Sequence, residues 1–359
     1  YGIDVFDINS SYPYQLATRK LPYGKPILKT GQGLHPDMSK FWVAEAIVKF
    51  KLKDDHIPCI PLKAVVEGRP ITSEKWLSDS CGVVKIRFSC VDYLTILDSY
   101  DFEVISWEWA IHWAWKKHKE IAQFIYNNNE IKVKYKKLAQ ETDDEQLKAE
   151  YLTKANHAKI DNNAFYGKFG EEIVKRGKTP HYDKDKGVIY KVDRIEEIPD
   201  NKKKFLPVAI ATTAWGRHQL VTTANRIGKY FLYCDTDSIH IKSEGKEELI
   251  KHIKLDKTEL GAWSHEGYFD RGRYLRSKCY YEERYGEPPE VTLAGLPADK
   301  HSGPRSKRRS CITWENFYIG YVVPADKSNK FRSVRTPTGV KLVPVAFEIK
   351  EVANNFNFL

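Results

Sequence analysis

The sequence predicts an α+β fold, and three stretches carry that prediction. Residues 29–115 alternate short β-like runs with turns. Residues 116–167 read as two helices joined by the polar turn Thr142-Asp143-Asp144. Tyr230-Phe231-Leu232 and Ile239-His240-Ile241 flank a short polar centre, as the arms of a β-hairpin would, with the turn at Asp235-Thr236-Asp237.

The 359 residues are 42% hydrophobic and 30% charged, an ordinary globular composition sufficient for two or three cores. The net charge of +10 favours a polyanionic partner. No apolar run approaches the roughly 20 residues of a membrane helix, and no signal peptide is recognisable. The six cysteines form no CxxC pair, which argues against a zinc site and fits reduced thiols in a cytoplasmic setting. Residue 1 is Tyr and the sole methionine is Met38, so the chain is expected to be a piece of a longer protein lacking its N-terminal part.

Taken in order, Val5-Phe6-Asp7-Ile8 begins as a buried strand and ends in a carboxylate, which by itself also suits a helix cap. Ser10 to Tyr14 turns into a helix expected around Gln15 to Arg19, and Leu21 to Pro26 is expected to be a loop. Trp42 to Leu52 and Val83 to Phe88 read as strands and Val91 to Ser99 as a helix. Trp107, Trp109, Trp113 and Trp115 are expected to pack into a small core rather than to stack bases. In the second arm of the helical pair, Lys148, Leu152, Ala155, Lys159, Asn163 and Tyr166 fall three or four apart and share one face, ended by Gly167 and Gly170. That stripe suits a nucleotide, and equally an exposed amphipathic face.

Lys178 to Val192 reads as a β-hairpin turning at 184–187, followed by a charged linker over 196–204. Ile210 to Tyr230 reads as a helix carrying Thr213 and Arg217, and Lys251 to Glu259 as a polar segment. Arg271 to Tyr281 reads as one basic-aromatic strand whose alternation puts Lys278 and Tyr280 on one side. Such interleaving is the expected footprint of a nucleic-acid backbone contact. Lys300, Arg305, Lys307, Arg308 and Arg309 form a basic cluster, and Phe331 to Val334 and Val340 to Ile349 read as closing strands.

Two carboxylates at the tip of the central hairpin, Asp235 and Asp237, repel and raise each other's pKa. A hard cation between them removes the conflict, and magnesium suits a site of one or two carboxylates that leaves room for substrate phosphates. Alone, the triplet also reads as an Asp-rich surface turn.

Read together, Asp7 followed by Ser10-Ser11-Tyr12-Pro13, then Lys159 to Gly167, Thr213-Ala214-Trp215-Gly216-Arg217, Tyr233 to Ser238 and Lys278-Cys279-Tyr280 resemble the family B DNA polymerases. The family's patterns DxxSLYP, KxxxNSxYG, TxxGR, YxDTDS and KxY occur there with this content. The flanking Leu21-Pro22-Tyr23-Gly24 and Tyr274-Leu275-Arg276 resemble the protein-primed, phage phi29-like branch, and the resemblance covers essentially the whole chain. Departures are Ser11 for Leu, Ala164 for Ser, and Asp161 and Asn162 for apolar residues ahead of Asn163.

The resemblance implies a right-hand polymerase: antiparallel β palm, helical fingers, small β thumb and two insertion subdomains. Palm is expected over 1–28 and 207–281, fingers over 116–170, and thumb and C-terminal segment over 282–359. The insertions, over 29–115 and 171–206, correspond to those serving terminal-protein contact, processivity and strand displacement. The family's N-terminal 3′-5′ exonuclease domain has no counterpart in this chain and is expected to act in cis or in trans.

The implied reaction is attack of a primer 3′-OH on the α-phosphorus of a dNTP with two Mg²⁺ ions, Mn²⁺ being an acceptable substitute. Asp7, Asp237 and the Ile8 carbonyl are implied metal ligands, with Asp235 an auxiliary catalytic carboxylate. Tyr12, Lys148, Lys159, Asn163 and Tyr166 are implied to bind nucleotide. Ser10, Gly167, Thr213, Arg217, Lys278 and Tyr280 are implied to hold the DNA primer-template. A terminal protein primer is an expected partner in phage replication within the host cytoplasm. The motifs leave open a polymerase of the same fold that starts without a protein primer, and an inactive DNA-binding module.

Overall fold

The computed structural model describes residues 2–72, 75–171, 174–185, 187–197, 204–299, 307–337 and 339–350, with backbone alone over 174–180 and 187–197. It divides into two compact units.

The first unit comprises Asp4–Glu171 and Lys204–Gly267. Its central sheet has the order Phe231–Asp235, Ser238–Lys242, Ile3–Ile8, Trp263–Phe269. The hairpin of the first two strands is antiparallel, with Cys234 opposite Ile239 and Asp235 opposite Ser238. Only Thr236 and Asp237 therefore form the turn, one residue tighter than the sequence suggested, and Thr236 adopts the left-handed φ of 59° that such a tight turn demands. Phe6, Ile8, Ile239 and Ile241 bury one face of the sheet against Leu220, Val221 and Ala224 of the helix Leu206–Ile227. That helix starts with Pro207 in its first turn and stops at Gly228, whose φ of 45° a side chain would disfavour.

A second, five-stranded antiparallel sheet runs Leu21–Thr30, Tyr100–Lys116, Phe41–Leu52, Val84–Ser89, Val65–Glu67. The segment expected to be a loop at Leu21 to Pro26 is thus an edge strand. Its register breaks between Tyr23 and Ile27, where Gly24 takes a φ of 80° and Pro26 cannot donate to the ladder. Trp42, Phe88, Tyr93 and Trp107 pack edge to face and tilted about this sheet, and Trp113 is buried, so these tryptophans serve the core. The helix Cys90–Ser99 begins with a reciprocal capping box between Ser89 and Asp92.

The helical pair consists of Lys119–Glu141 and Glu145–Phe169, with Asp144 capping the second by accepting from Gln146 and Leu147 amides at 2.8 and 3.0 Å. Its buried residues are few and small: Ile125, Ala139, Ala155, Ala158 and Asn162. The first short helix spans Ser11–Thr18 rather than starting near Gln15, because Pro13 is tolerated in a first turn. A helix, Lys246–His252, takes in the start of the polar segment expected over Lys251 to Glu259.

The second unit holds the hairpin Val174–Asp183 with Gly187–Glu197, and a three-stranded sheet of Arg271–Arg276, Cys279–Glu283 and Glu290–Leu293. Tyr281, Val291, Leu293, Phe317 and Val323 are among its core residues, and a ribbon pairs Phe331–Thr336 with Gly339–Pro344. The expected single strand from Arg271 to Tyr281 is instead a hairpin turning at Ser277 and Lys278, with Lys278 at a φ of 54°. Lys278 therefore does not share a strand face with Tyr280. In the basic cluster, Lys300 and Arg305 lie outside the described residues, Lys307 pairs with Glu290 at 3.0 Å, and Arg309 donates to the Leu296 carbonyl at 3.0 Å.

A buried phenol ties the second sheet to the neighbouring two-stranded pair Ile60–Pro61 and Trp76–Leu77. Tyr100 donates to the Leu77 carbonyl at 2.7 Å and accepts from the Cys59 and Ile60 amides at 2.8 and 3.2 Å. Tyr100→Phe keeps the ring and strips a partner from three backbone groups, so it should cost about 2–3 kcal/mol of unfolding free energy. Denaturant titration checks this, and a loss below about 0.5 kcal/mol would mean that those groups find other partners.

Candidate active site

Asp7 stands at the end of the strand Ile3–Ile8, and the Ile8 amide donates to the Asp237 carbonyl at 2.8 Å. The tight turn is thereby pinned beside the strand that carries Asp7. Glu266, on the neighbouring strand Trp263–Phe269, lines the same cavity as Asp7 and Asp237. Burial raises the Asp7 carboxyl to a pKa of about 7, helped by the charges of Asp237 and Glu266 and opposed by Lys159. Carboxylates held in such conflict suit a divalent cation, whose charge inverts it. Among the described residues no group of three or more His, Cys, Asp or Glu side chains is gathered as a complete metal centre. A cation here would take oxygens from Asp7 and Asp237 and complete its shell from a ligand.

Behind Asp7 the same strand is anchored by a second carboxylate. Asp4 is buried and meets Lys246 at 2.7 Å and His265 at 2.6 Å. Burial works against its ionisation, but the hydrogen bonds from Lys246 and His265 and the charge of Lys246 prevail and hold the carboxyl below its ordinary range. His265 also packs its ring on Phe6 at 4.9 Å. The strands carrying Asp7 and Glu266 are therefore fixed to one another by the Asp4–His265 hydrogen bond and a ring contact.

The opposite wall is basic. Lys132 and Lys136 from the first long helix and Lys159 from the second line the cavity, whose volume is about 540 Å³. The Lys132 ammonium donates to the Ser10 hydroxyl at 3.3 Å, and Ser10 holds a left-handed φ of 54° at the start of the helix Ser11–Thr18. Burial lowers the Lys132 amine to a pKa of about 8, with Lys136 and Lys159 adding like-charge repulsion. Acidic and basic walls thus face each other across one cavity. A ligand carrying several negative charges, bridged to the acidic wall by cations, satisfies both.

Tyr12 and Tyr166 form the aromatic part of the cavity, ring centroids 4.5 Å apart at 44°. Burial, and then the neighbouring Tyr166, raise the pKa of the Tyr12 phenol. The helix Leu206–Ile227 backs Tyr12 at Gly216, where a Cβ would come within 3.0 Å of the ring. Ser11 is buried beside them, and its hydroxyl has no hydrogen-bond partner among the described residues.

Of the residues singled out from the sequence, Asp7, Ser10, Tyr12, Lys159, Asn163, Tyr166 and Asp237 line this one cavity. Ile8 is fully buried behind Asp7. Asp235 ends its strand just outside the lining, accepting from Thr236 at 3.0 Å. Lys148 sits on the first turn of its helix, paired with Glu145 at 3.2 Å and outside the lining, while Gly167 is exposed. Thr213 and Arg217 line a separate cavity of about 270 Å³, where Arg217 pairs with Asp92 at 2.7 Å. Lys278 and Tyr280 belong to the second unit, where the Tyr280 ring lies 5.8 Å from that of Tyr274.

Sequence reasoning missed Lys132, Lys136, Glu266 and Gly216. The four-residue spacing of Lys132 and Lys136 in the lysine-rich first arm was a usable signal; Glu266, in a short strand of mixed polarity, offered none.

The family described as DNA polymerase type B, organellar and viral, matches residues 1–255. The DNA polymerase of Bacillus phage phi29 is 30% identical over 356 residues, 96% of this chain and 57% of that protein. The DNA polymerase of Streptococcus phage Cp-1 is 28% identical over 97% of this chain and 56% of that protein. The solved structure of phi29 DNA polymerase complexed with primer-template DNA and incoming nucleotide substrates superposes with a TM-score of 0.76 at 28% identity, covering 97% of this chain and 58% of that one. The chain thus spans a little over half the length of these relatives.

The elevated Asp7 pKa has a consequence for stability. A carboxyl titrating near 7 when folded and near 3.8 when unfolded binds more proton in the native state between those values. Its stabilising contribution is complete below about 4 and is lost as pH rises through about 7. In chelator, the thermal midpoint of Asp237→Asn relative to wild type should therefore rise between pH 5 and 8, because one source of the conflict is gone. A constant difference across that range would remove Asp237 as a cause.

Proposed function

The chain belongs to the organellar and viral type B DNA polymerases, and we propose that it is the polymerase portion of a template-directed enzyme adding dNTPs to a primer 3′-OH. The observation that carries this reading is the pairing of Asp7 and Asp237 on one wall with Lys132 and Lys159 on the other. The acidic wall fits two Mg²⁺ ions, or Mn²⁺ in their place, which when bound would activate the attacking hydroxyl and steady the leaving oxygen.

Asp7 and Asp237 hold that charge, with the Ile8 carbonyl on the triphosphate side and Asp235 nearer the primer end. Glu266 adds negative potential to the same wall. Lys159 and Lys132 neutralise the triphosphate and the departing pyrophosphate. Lys132 fits the part that sequence spacing gave to Lys148, since it lines the cavity and Lys148 does not. Tyr12 lies under the sugar, Tyr166 and Asn163 over the nascent pair. Ser10 positions the Lys132 ammonium and, with Gly167, Thr213 and Arg217, is assigned to primer-template contact in the first unit; Lys278 and Tyr280 are assigned to primer-template contact in the second.

Palm is assigned to 1–28 and 207–281, fingers to 116–170, and thumb with the C-terminal segment to 282–359. The five-stranded sheet, most of which falls in 29–115, supports an insertion there, and the hairpin Val174 to Glu197 supports one in 171–206. A terminal protein primer and an exonuclease domain in cis or in trans complete the proposed replicative assembly, acting in host cytoplasm.

Asp237→Asn should abolish primer extension while primer-template affinity stays within a few fold, because that affinity rests on phosphate contacts. Near-normal extension by the variant sinks the metal assignment. Tyr12→Val opens space for a 2′-hydroxyl without touching Asp7, so the ratio of ribonucleotide to deoxynucleotide insertion should rise by about two orders of magnitude. Single-nucleotide insertion with both substrates measures this. A loss of both activities at constant ratio would make Tyr12 a packing residue only.

A further inference from the structure

Asn162, unusual at its position ahead of Asn163, is not used by the proposed reaction, yet it is 3% exposed in the seam of the helical pair. Both halves of its amide are engaged. Its Nδ2 donates to the Ile125 carbonyl at 3.1 Å, and its Oδ1 accepts from Asn128 Nδ2 at 3.1 Å. Asp161, by contrast, is exposed.

The surrounding seam is otherwise apolar. Ile125, Ala139, Ala155 and Ala158 are its other buried residues, and the ring pairs Phe124–Phe165 and Tyr135–Tyr151 bridge the helices at 5.0 and 5.8 Å. Apolar contacts hold the helices together but are non-directional and tolerate a small shift. A buried amide is satisfied in one register only. A slip of one residue, about 1.5 Å, would break both bonds and leave polar groups buried without partners, at about 1–3 kcal/mol each.

The position of this pair matters for the cavity. Lys132 lies four residues after Asn128, and Lys159 three residues before Asn162. In an antiparallel helical pair these steps run the same way along the bundle, by about 6 and 4.5 Å. Both lysines therefore stand about one turn beyond the amide pair, at nearly one level. They share one cavity with Lys136, and like charges so placed repel, so their own charges work against convergence when no anion is present.

We propose that Asn162 is a positioning residue, locking with Asn128 the register of the helical pair so that Lys132 and Lys159 converge on one polyphosphate. The proposal rests on the reading of the cavity as a triphosphate site. The lock supplies preorganisation: the ammonium groups are placed before the anion arrives, and the cost of holding them together is met by folding rather than by binding. A single buried polar pair fixing helix register is a known use of such groups.

The test replaces Asn162→Leu, which keeps the number and branching of side-chain heavy atoms, and separately Asn128→Leu, with inorganic tripolyphosphate as the probe in calorimetry on the protein without DNA. Asn162→Leu should weaken tripolyphosphate binding about tenfold, since small misplacements of charged groups cost at least that much. KM for dNTP should rise by a similar factor with kcat within about twofold and the thermal midpoint unchanged or higher. Asn128→Leu should act in the same direction, and the double variant should add nothing beyond Asn162→Leu. Unchanged tripolyphosphate affinity in both single variants overturns the proposal, as does a loss in Asn162→Leu that tracks a falling thermal midpoint, or a wild-type protein that does not bind tripolyphosphate. Asn128→Leu leaves the Asn162 Oδ1 without its partner and lowers the midpoint in any case, so should Asn162→Leu fail to fold, Asn128→Leu decides by tripolyphosphate affinity measured well below its midpoint. A wild-type protein that binds tripolyphosphate but extends no primer would defeat the polymerase reading and leave the lock standing.

Discussion

Like charges held close together are the constraint on which the first unit depends. Asp7, Asp237 and Glu266 share one wall of a cavity, and Lys132, Lys136 and Lys159 share the other. Burial first, and like-charge repulsion after it, push the Asp7 carboxyl up to about 7 and the Lys132 amine down to about 8. The surrounding structure holds each set against its own repulsion. The Ile8 amide pins the turn of Asp237, the Asp4–Lys246–His265 cluster fastens the two acidic strands, and Ser10 in a left-handed conformation receives the Lys132 ammonium. Strain and like-charge density concentrated in one place are what a site poised for a charged ligand requires.

The two walls differ in how they are built. The acidic wall sits on sheet strands, where hydrogen-bond ladders fix every backbone position and a two-residue turn leaves no slack. The basic wall sits on two helices joined by three residues, where no inter-strand ladder acts and side-chain contacts, Ile125, three alanines, two ring pairs and the Asn162–Asn128 amide pair, set the register.

Much of this was legible in the sequence because the motifs are local. Asp7, Tyr12 and Pro13 lie within one strand-to-helix junction, Asp235 and Asp237 within one hairpin, and Lys159, Asn163 and Tyr166 within one helical face. What stayed hidden was relation between distant segments. Helical spacing groups Lys148 with Lys159 correctly on one face, but the surface that meets the sheet also depends on the other arm, and that arm contributes Lys132. The break at Ser277 and Lys278 carries neither Gly nor Pro, so a run of basic and aromatic residues gave no hint of a turn whose left-handed residue is a lysine. The start of the first helix was misplaced because Pro13 reads as a breaker, although a proline in the first turn loses no hydrogen bond.

The close approach of Gly216 to Tyr12 bears on how finely a pocket can be graded. The ring is backed by main chain of the helix Leu206–Ile227, and the clearance at that point is less than a methyl group needs. Main chain in mid-helix has no rotamer to change, so the floor beneath the ring behaves as a fixed stop rather than a cushion. A floor of that kind sets a sharp size cut-off for whatever rests above it. Its height is written into a residue outside the cavity lining, and one carbon atom added on the far side would press on the ring.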